Sequence, residues 1–377
     1  MIYLDHAATT PLDGAVLQRM LPYMTQIFGN ASSQHSFGRT AANAVTIARD
    51  TIAKIMGVSA TEIYFTSGGT EAGNTALKGI CAAKCGRGRH IVLSAIEHPA
   101  LLSSAEDLKN FGFEVTLINP DKSGIVSAKS VERAIRSDTV FVGVMAANNE
   151  TGVIQPVEQI YKVCKERGVF YYCDCVQTAG VLPFETFPAD GAGFSAHKFY
   201  GPKGVGCLYI RGGSSFERLI SGGGQERGKR GGTTFVAGAV GCACALQAAY
   251  ENAVKNNAHI RALRDKFIAL AQTLGGVHIN GDIENRLPNN ANLSFDGCEG
   301  EQILFGLDLK GVAVSTGSAC SAGAVTRSHV LTAMGLSDER VSSAVRFTFG
   351  KENTEREVDE AFAALKQVVE RIRSAKN

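Results

Sequence analysis

The sequence predicts an α/β fold, with a large domain on a mostly parallel sheet between helical layers and a smaller α+β domain after it. Three observations carry this. From about residue 15 to 255, short β-branched or aromatic runs alternate with helical stretches, the grammar of repeated strand-helix-strand crossovers. A long helical pattern over 239–274 meets no proline until Pro288 and leads the chain out of that region. The remaining strands and helices are too few for a second large sheet. The expected division is 15–255 for the large domain, and 1–14 with 256–377 for the small one.

In chain order, the strand candidates of the large domain are EIYFT (62–66), HIVLSA (90–95), EVTLIN (114–119), TVFVGVMA (139–146), VFYYCD (169–174), GAGFSA (191–196) and VGCLYI (205–210). All are short and rich in residues that suit a buried pleated surface. The small domain offers NANLSFD (290–296), GVAVST (311–316) and AVRFTFG (344–350), with helical GEQILFGLDLK (300–310) between them and an amphipathic helix near the end. The Gly-rich SGGGQERGKRGGTT (221–234) is too short for a linker and reads as a functional loop.

Composition narrows the partners. The chain has 377 residues, 45% hydrophobic and 20% charged, with 38 Lys plus Arg against 36 acids. So balanced a charge argues against nucleic acid or an anionic membrane as the main partner. The N-terminal MIYLDHAATTPLD carries no apolar leader and no apolar run reaches membrane length, so a cytoplasmic protein is expected. Ten cysteines lie scattered without C-x-x-C pairs, as expected of reduced thiols. Cys81 and Cys85, near His90, are compatible with a metal ion or with a buried helix face; packing is the simpler reading, and no metal is expected.

Several residues sit where chemistry is done in such folds. Lys198, in FSAHKFYGPKGVG, follows a strand end; a lysine there forms a Schiff base with a bound carbonyl or lies on the surface beside a turn. Asp174 ends an apolar strand at the carboxyl edge, where ligands of open α/β sheets bind, and reads as the partner of a cofactor cation or as a helix cap. SGGTEAG passes from strand through a glycine turn into a helix, so Gly69 and Thr70 can cradle a phosphate or simply begin a helix, with Ser195 and His197 as further donors. His98 and Asn148 follow strands, and each serves a cofactor or a turn. Arg346, inside a strand pattern, calls for a carboxylate, from a substrate or from an internal salt bridge. Cys320, in the small-residue stretch STGSACSAG, is a structural thiol, a metal ligand or a nucleophile on these grounds alone.

Taken together, YLDHAATTPLD, FGNASSQHSFGR, TSGGTEAGN, SAIEHPA, NNETGVIQP, DCVQTAG, SAHKFYGPKGVG, GGGQERGKRGGT, RLPNNANLSF, STGSAC, SHVL and VRFTFG, collinear from residue 3 to about 350, resemble the cysteine desulfurases of the NifS/IscS kind. These belong to the class V aminotransferases, with the type I fold of pyridoxal-phosphate enzymes. The resemblance implies that Lys198 holds the cofactor as a Schiff base, Asp174 pairs with its ring nitrogen, Gln177 bonds its ring hydroxyl and His98 stacks on the ring. It assigns the phosphate to Gly69, Thr70, Ser195 and His197, joined by Thr233 of a second subunit, and so implies a homodimer. Asn148 is placed by the ring, and Asn30 and Arg346 at the substrate carboxylate. Cys320 is implied to take the sulfur of L-cysteine as a persulfide, leaving L-alanine, and to pass it to an acceptor such as an iron-sulfur scaffold protein.

Some positions depart from that pattern. Cys173 stands where the family has His, Cys175 replaces a small apolar residue, Ala31 replaces Pro, and Arg327 precedes SHVL in place of Pro. Ending at Asn377, the sequence is expected to lack the longer tail by which housekeeping members engage their scaffold partner, which leaves the acceptor open. The rival readings are a selenocysteine lyase or an aminotransferase of the same fold, and a cofactor-free binding protein.

Overall fold

A computed structural model describes residues 1–316 and 327–375; Cys320 lies outside the described residues. The chain opens with β1 (Ile2–Tyr3), α1 (Gly14–Thr25) and α2 (Ser36–Met56), which ends at Gly57 in the left-handed conformation (φ 69°) that glycine adopts without cost. Alternation then follows: β2 (Ile63–Thr66), α3 (Gly69–Lys84), β3 (His90–Ser94), α4 (Pro99–Lys109), β4 (Glu114–Ile118), α5 (Ala128–Ala134), β5 (Thr139–Gly143), α6 (Val157–Glu166), β6 (Phe170–Asp174), β7 (Gly191–Ser195) and β8 (Gly206–Ile210). The rest comprises α7 (Val236–Glu251), α8 (Ala253–Gln272), β9 (Val277–Ile279), β10 (Asn290–Phe295), α9 (Gly300–Asp308), β11 (Val312–Ala313), α10 (His329–Ala333), α11 (Asp338–Ser342), β12 (Ala344–Thr348) and α12 (Glu355–Ser374).

The seven strands of the main sheet run in the order β2-β8-β7-β6-β5-β3-β4. β8 pairs antiparallel with both β2 and β7, and the other pairings are parallel. Alternate side chains feed two cores, as the strand period of two requires. Val92, Val142, Tyr171 and Cys173 enter one, with α2 and α7. Ile91, Leu93, Phe141 and Tyr172 enter the other, with α3 and α4. A third core lies in the three-stranded antiparallel sheet β12-β10-β9 and the helices α8, α9 and α12 over it, where Phe267, Phe295 and Phe347 meet. Leu4 joins that core from the N-terminus, because β1 pairs with β11.

Two differences from the expected layout have plain causes. The helical pattern over 239–274 breaks at Asn252 (φ −103°, ψ 4°), whose side chain bonds back to the Ala248 carbonyl at 2.8 Å, giving two helices. Val330, Leu331 and Met334, within the span expected for the small domain, pack into the first core of the large sheet. The chain from Arg327 to α11 thus leans on the large domain.

The metal alternative near Cys81 finds no support in the geometry. Both nitrogens of His90 are engaged by threonine hydroxyls, Thr139 at 2.7 Å and Thr116 at 2.8 Å, and Cys81 is buried while Cys85 is exposed. Among the described residues, no three His, Cys, Asp or Glu side chains are grouped to hold a metal ion, and no helix is long and apolar enough to cross a membrane.

Candidate active site at the carboxyl ends of the central strands

β6 and β7 are parallel neighbours, so their carboxyl ends, Asp174 and the Ala196–Lys198 turn, open on the same edge of the sheet. Asp174 accepts from the Val176 N–H at 2.8 Å. Burial pushes its carboxyl up from 3.8 to about 6, while the Val176 bond and the Lys198 charge pull it back. A half-buried carboxyl of this kind, partly withdrawn from water, fits a cation placed against it.

The Lys198 amine donates to the Ala7 carbonyl at 2.6 Å and the Ala8 carbonyl at 2.8 Å. Gln177 Nε2 donates to the same Ala7 carbonyl at 3.1 Å. The N-terminal turn, nearly two hundred residues away in sequence, thereby becomes part of the site. It is held by the Thr348 hydroxyl, which accepts from Ala7 N–H at 2.9 Å, and by His197 Nδ1, 3.1 Å from the Thr9 hydroxyl.

Beside the lysine, α3 starts its sixteen residues at Gly69, whose N–H donates to Ser195 Oγ at 2.6 Å. A Cβ at Gly69 would fall 2.5 Å from Val176 Cγ2, so only glycine fits there. Gly68 has φ 154°, again a conformation that suits glycine. The helix start thus brings together a first-turn N–H, the Ser195 hydroxyl it donates to and an adjacent imidazole, a donor set that suits a phosphate. Thr70 is exposed at its rim. Burial, with the Lys198 and Lys203 charges, lowers His197 to about 4 and keeps it neutral.

His98 caps α4, its Nδ1 accepting from Ala100 N–H at 3.1 Å, which places its proton on Nε2. Burial, then the charges of Lys198 and His329, lower it to about 4, so it is neutral at physiological pH. A flat neutral ring beside the lysine and the aspartate suits an aromatic cofactor.

Asn148 is bound up in a turn. Its oxygen accepts from the backbone of Glu150 and Thr151, both at 2.9 Å, and its nitrogen donates to the Ile96 carbonyl at 3.0 Å. This fully buried amide serves the turn, and the ring-facing role expected of it does not fit. Asn149, half-buried, has no side-chain hydrogen bond among the described residues, and its carbonyl accepts from Arg346 at 2.9 Å. It is the amide the sequence reading missed, since two adjacent asparagines after a strand look alike until the turn shows which is consumed.

Arg346 is buried in β12 and donates from one nitrogen to Asp5 at 2.8 Å. Both backbone bonds between Arg346 and Ser315 are made, at 2.6 and 3.1 Å, so the arginine adjoins the start of the stretch that carries Cys320. The far end of that stretch also meets the site, His329 Nε2 lying 3.1 Å from the Glu97 carbonyl. Asn30 is exposed and bonds its own turn, accepting from Ser32 N–H at 2.8 Å; no contact brings it to Arg346 among the described residues. Thr233 is exposed too, in a loop pinned to its own subunit. There Glu226 and Arg227 take left-handed conformations (φ 47° and 55°), held by a two-bond pair from Arg49 to Glu226.

Glu97 was not singled out in the sequence, standing beside the more conspicuous His98. It is fully buried, accepts from the Ser94 hydroxyl and from Met145 N–H at 2.8 Å, and its Oε2 has no partner among the described residues. Burial raises its carboxyl from 4.5 to about 8, with the Asp174 charge adding to the rise against the Ser94 bond. Folding therefore takes up a proton here, a contribution present below the unfolded value near 4.5 and lost as pH rises through about 8. Glu97→Gln, which mimics the protonated acid, is expected to abolish roughly 3 to 5 kcal/mol of stability loss across that window. Urea unfolding from about pH 5 to 9 measures it, and parallel profiles for the two proteins would refute it.

The model of the Aminotransferase class-V family matches residues 2–361. The chain is 43% identical to the cysteine desulfurase IscS of Dictyoglomus turgidum over 376 residues, covering 99% of this chain and 95% of that one. Among solved structures it resembles a NifS-like protein, with TM-score 0.93, 39% identity, and 98% and 99% of the two chains covered. It also resembles SspA in complex with cysteine, with TM-score 0.83, 33% identity, and 94% and 100% covered.

Proposed function

Since the chain belongs to the class V aminotransferase family and is, like its IscS relatives, a cysteine desulfurase, we propose that it works with pyridoxal phosphate held by Lys198 and passes the sulfur of L-cysteine through Cys320. The observation that carries this reading is the half-buried Asp174 at the end of the strand beside the one that leads into the Lys198 turn. The residues present fit the cofactor: Asp174 for the ring nitrogen, Gln177 and Asn149 for polar groups on the ring, His98 against its face, and Gly69, Thr70, Ser195 and His197 for the phosphate. When bound, the cofactor supplies an electron sink for charge developing at the substrate α-carbon.

The chain's own residues do the rest. Asp174, kept ionised by an adjacent cation, holds positive charge on the ring side of the site. The Ala7 and Ala8 carbonyls, which accept from the Lys198 amine, would hold it as an ammonium group whenever it is not bound to the cofactor. Neutral His98 presents a donor at Nε2 and admits no charge of its own near Lys198. Arg346 orients the substrate carboxylate. The Cys320 thiolate attacks the substrate sulfur and the carbon-sulfur bond breaks with its electron pair left on carbon. Protonation of that carbon completes L-alanine, and the sulfur remains on Cys320 as a persulfide.

The cradle is served by Thr233 of a second copy in this reading, and an exposed apolar stripe supports a homodimer: Leu17, Leu21 and Met24 repeat along one face of α1, beside the exposed pair Phe28 and Phe37. The sulfur acceptor is proposed to be a protein of iron-sulfur cluster assembly, and the setting cytoplasmic. Purified protein loaded with pyridoxal phosphate is expected to convert L-cysteine to L-alanine; conversion of amino acid to keto acid in place of alanine would overturn the reading.

A further inference from the structure

Three arginines that are wholly or partly withdrawn from solvent differ in how they hold their acids. Arg49 grips Glu226 with two bonds, at 2.7 and 2.8 Å, and Arg230 grips Glu71 with two, at 2.9 and 3.1 Å. Arg346 gives Asp5 a single bond, at 2.8 Å, from a guanidinium whose Nε is buried and unpartnered among the described residues. A fork with one prong taken and the adjacent N–H unpaired is poised to receive a second carboxylate. Two carboxylates cannot share that fork in a site this buried without repulsion, because the Asp5 side chain is itself only 20% exposed and the arginine 6%.

We propose that Asp5 is a positioning residue that occupies Arg346 in place of the substrate, so that the carboxylate of L-cysteine binds by displacing it. This rests on the reading of Arg346 as the carboxylate site. Asp5 begins the turn whose Ala7 and Ala8 carbonyls hold the Lys198 amine, and the turn closes on itself through Ala8 N–H to the Asp5 carbonyl at 3.0 Å. Displacing the Asp5 side chain therefore acts within one turn of the lysine's resting place. The binding of a carboxylate and the position of the amine are coupled through one short backbone segment.

The test uses the cofactor-loaded enzyme and 3-mercaptopropionate, which keeps the thiol and carboxylate of the substrate but has no amine to react with the cofactor. Asp5→Asn retains an oxygen that can accept from Arg346 and removes the competing charge. It is expected to tighten 3-mercaptopropionate about tenfold by calorimetry, the difference between a charge-assisted and a neutral hydrogen bond. The KM for L-cysteine should fall by a similar factor, with kcat changed less than about threefold. Ethanethiol, lacking the carboxylate, should bind both proteins alike. Arg346→Lys separates the two claims: it should weaken 3-mercaptopropionate. If it does while Asp5→Asn changes nothing or weakens binding, the proposal is overturned and the Arg346 reading stands. If Arg346→Lys leaves binding unchanged, the Arg346 reading itself fails. Should Asp5→Asn not fold, Asp5→Ser must show the same tightening, and its absence there counts equally against the proposal.

Discussion

Cys320→Ala is expected to abolish sulfur transfer from L-cysteine, by about 10⁴-fold or more, while the protein still takes up pyridoxal phosphate and turns yellow. The separation is the informative part. Every residue proposed to hold the cofactor lies among the described residues, outside the stretch that carries residue 320. The bond-breaking event needs a sulfur nucleophile, and the nearby thiols do not replace it. Cys173 and Cys175 are buried in the sheet core, where burial raises the Cys173 thiol far above its ordinary range, and neither has access to a substrate there. Alanine production and persulfide formation measured on the same sample check this. Full activity in the variant would remove Cys320 from the reaction.

Lys198→Ala is expected to cost about 10³-fold or more in turnover and to end covalent retention of the cofactor. Borohydride treatment followed by peptide mass measurement should fix pyridoxal to the peptide carrying residue 198 in the natural protein and to no peptide in the variant. The loss has two parts. Covalent attachment disappears, and so does the amine that binds the Ala7 and Ala8 carbonyls, leaving the Ala8 carbonyl short of a donor and the Ala7 carbonyl with the Gln177 amide in its place. Lys198→Arg restores a cation without a reactive amine, so it should recover stability and leave turnover lost. Recovery of turnover by arginine would show that the lysine acts through charge alone.

Much of the large domain was legible because its strands are short, dense runs of β-branched and aromatic residues, and each run from Ile63 to Ile210 marks a strand in the structure. The shortest pieces were harder. β1 and β9, of two and three residues, carry no such run, and although β11 falls inside the expected GVAVST, its pairing with β1 joins distant parts of the chain, Ile2 with Val312 and Tyr3 with Ala313. The break between α7 and α8 was hidden as well, since an asparagine such as Asn252 inside a helical pattern carries no mark until its side chain turns back on the helix.

The site divides the same way. Lys198 and Asp174 could be placed at strand ends from sequence, and they are neighbours there. What surrounds them could not be read, because it comes from distant chain. The Ala7 and Ala8 carbonyls have no side-chain signature at all, and Asp5 meets Arg346 across 341 positions. Arg346 had two readings, substrate carboxylate or internal salt bridge; the structure supplies the second, and the single bond keeps the first open to the substrate. Asn148 gave way to Asn149 because turn hydrogen bonds, invisible in sequence, consume the first amide.

That Cys320 receives the sulfur of L-cysteine, at a site built by Lys198 and Asp174, is tested most directly by a single exposure of the cofactor-loaded protein to L-cysteine without an acceptor, followed by digestion and mass measurement. The peptide containing Cys320 should gain the mass of one sulfur atom, with one L-alanine released per site. Alanine released with the added sulfur on another cysteine, or with none on any, would contradict it.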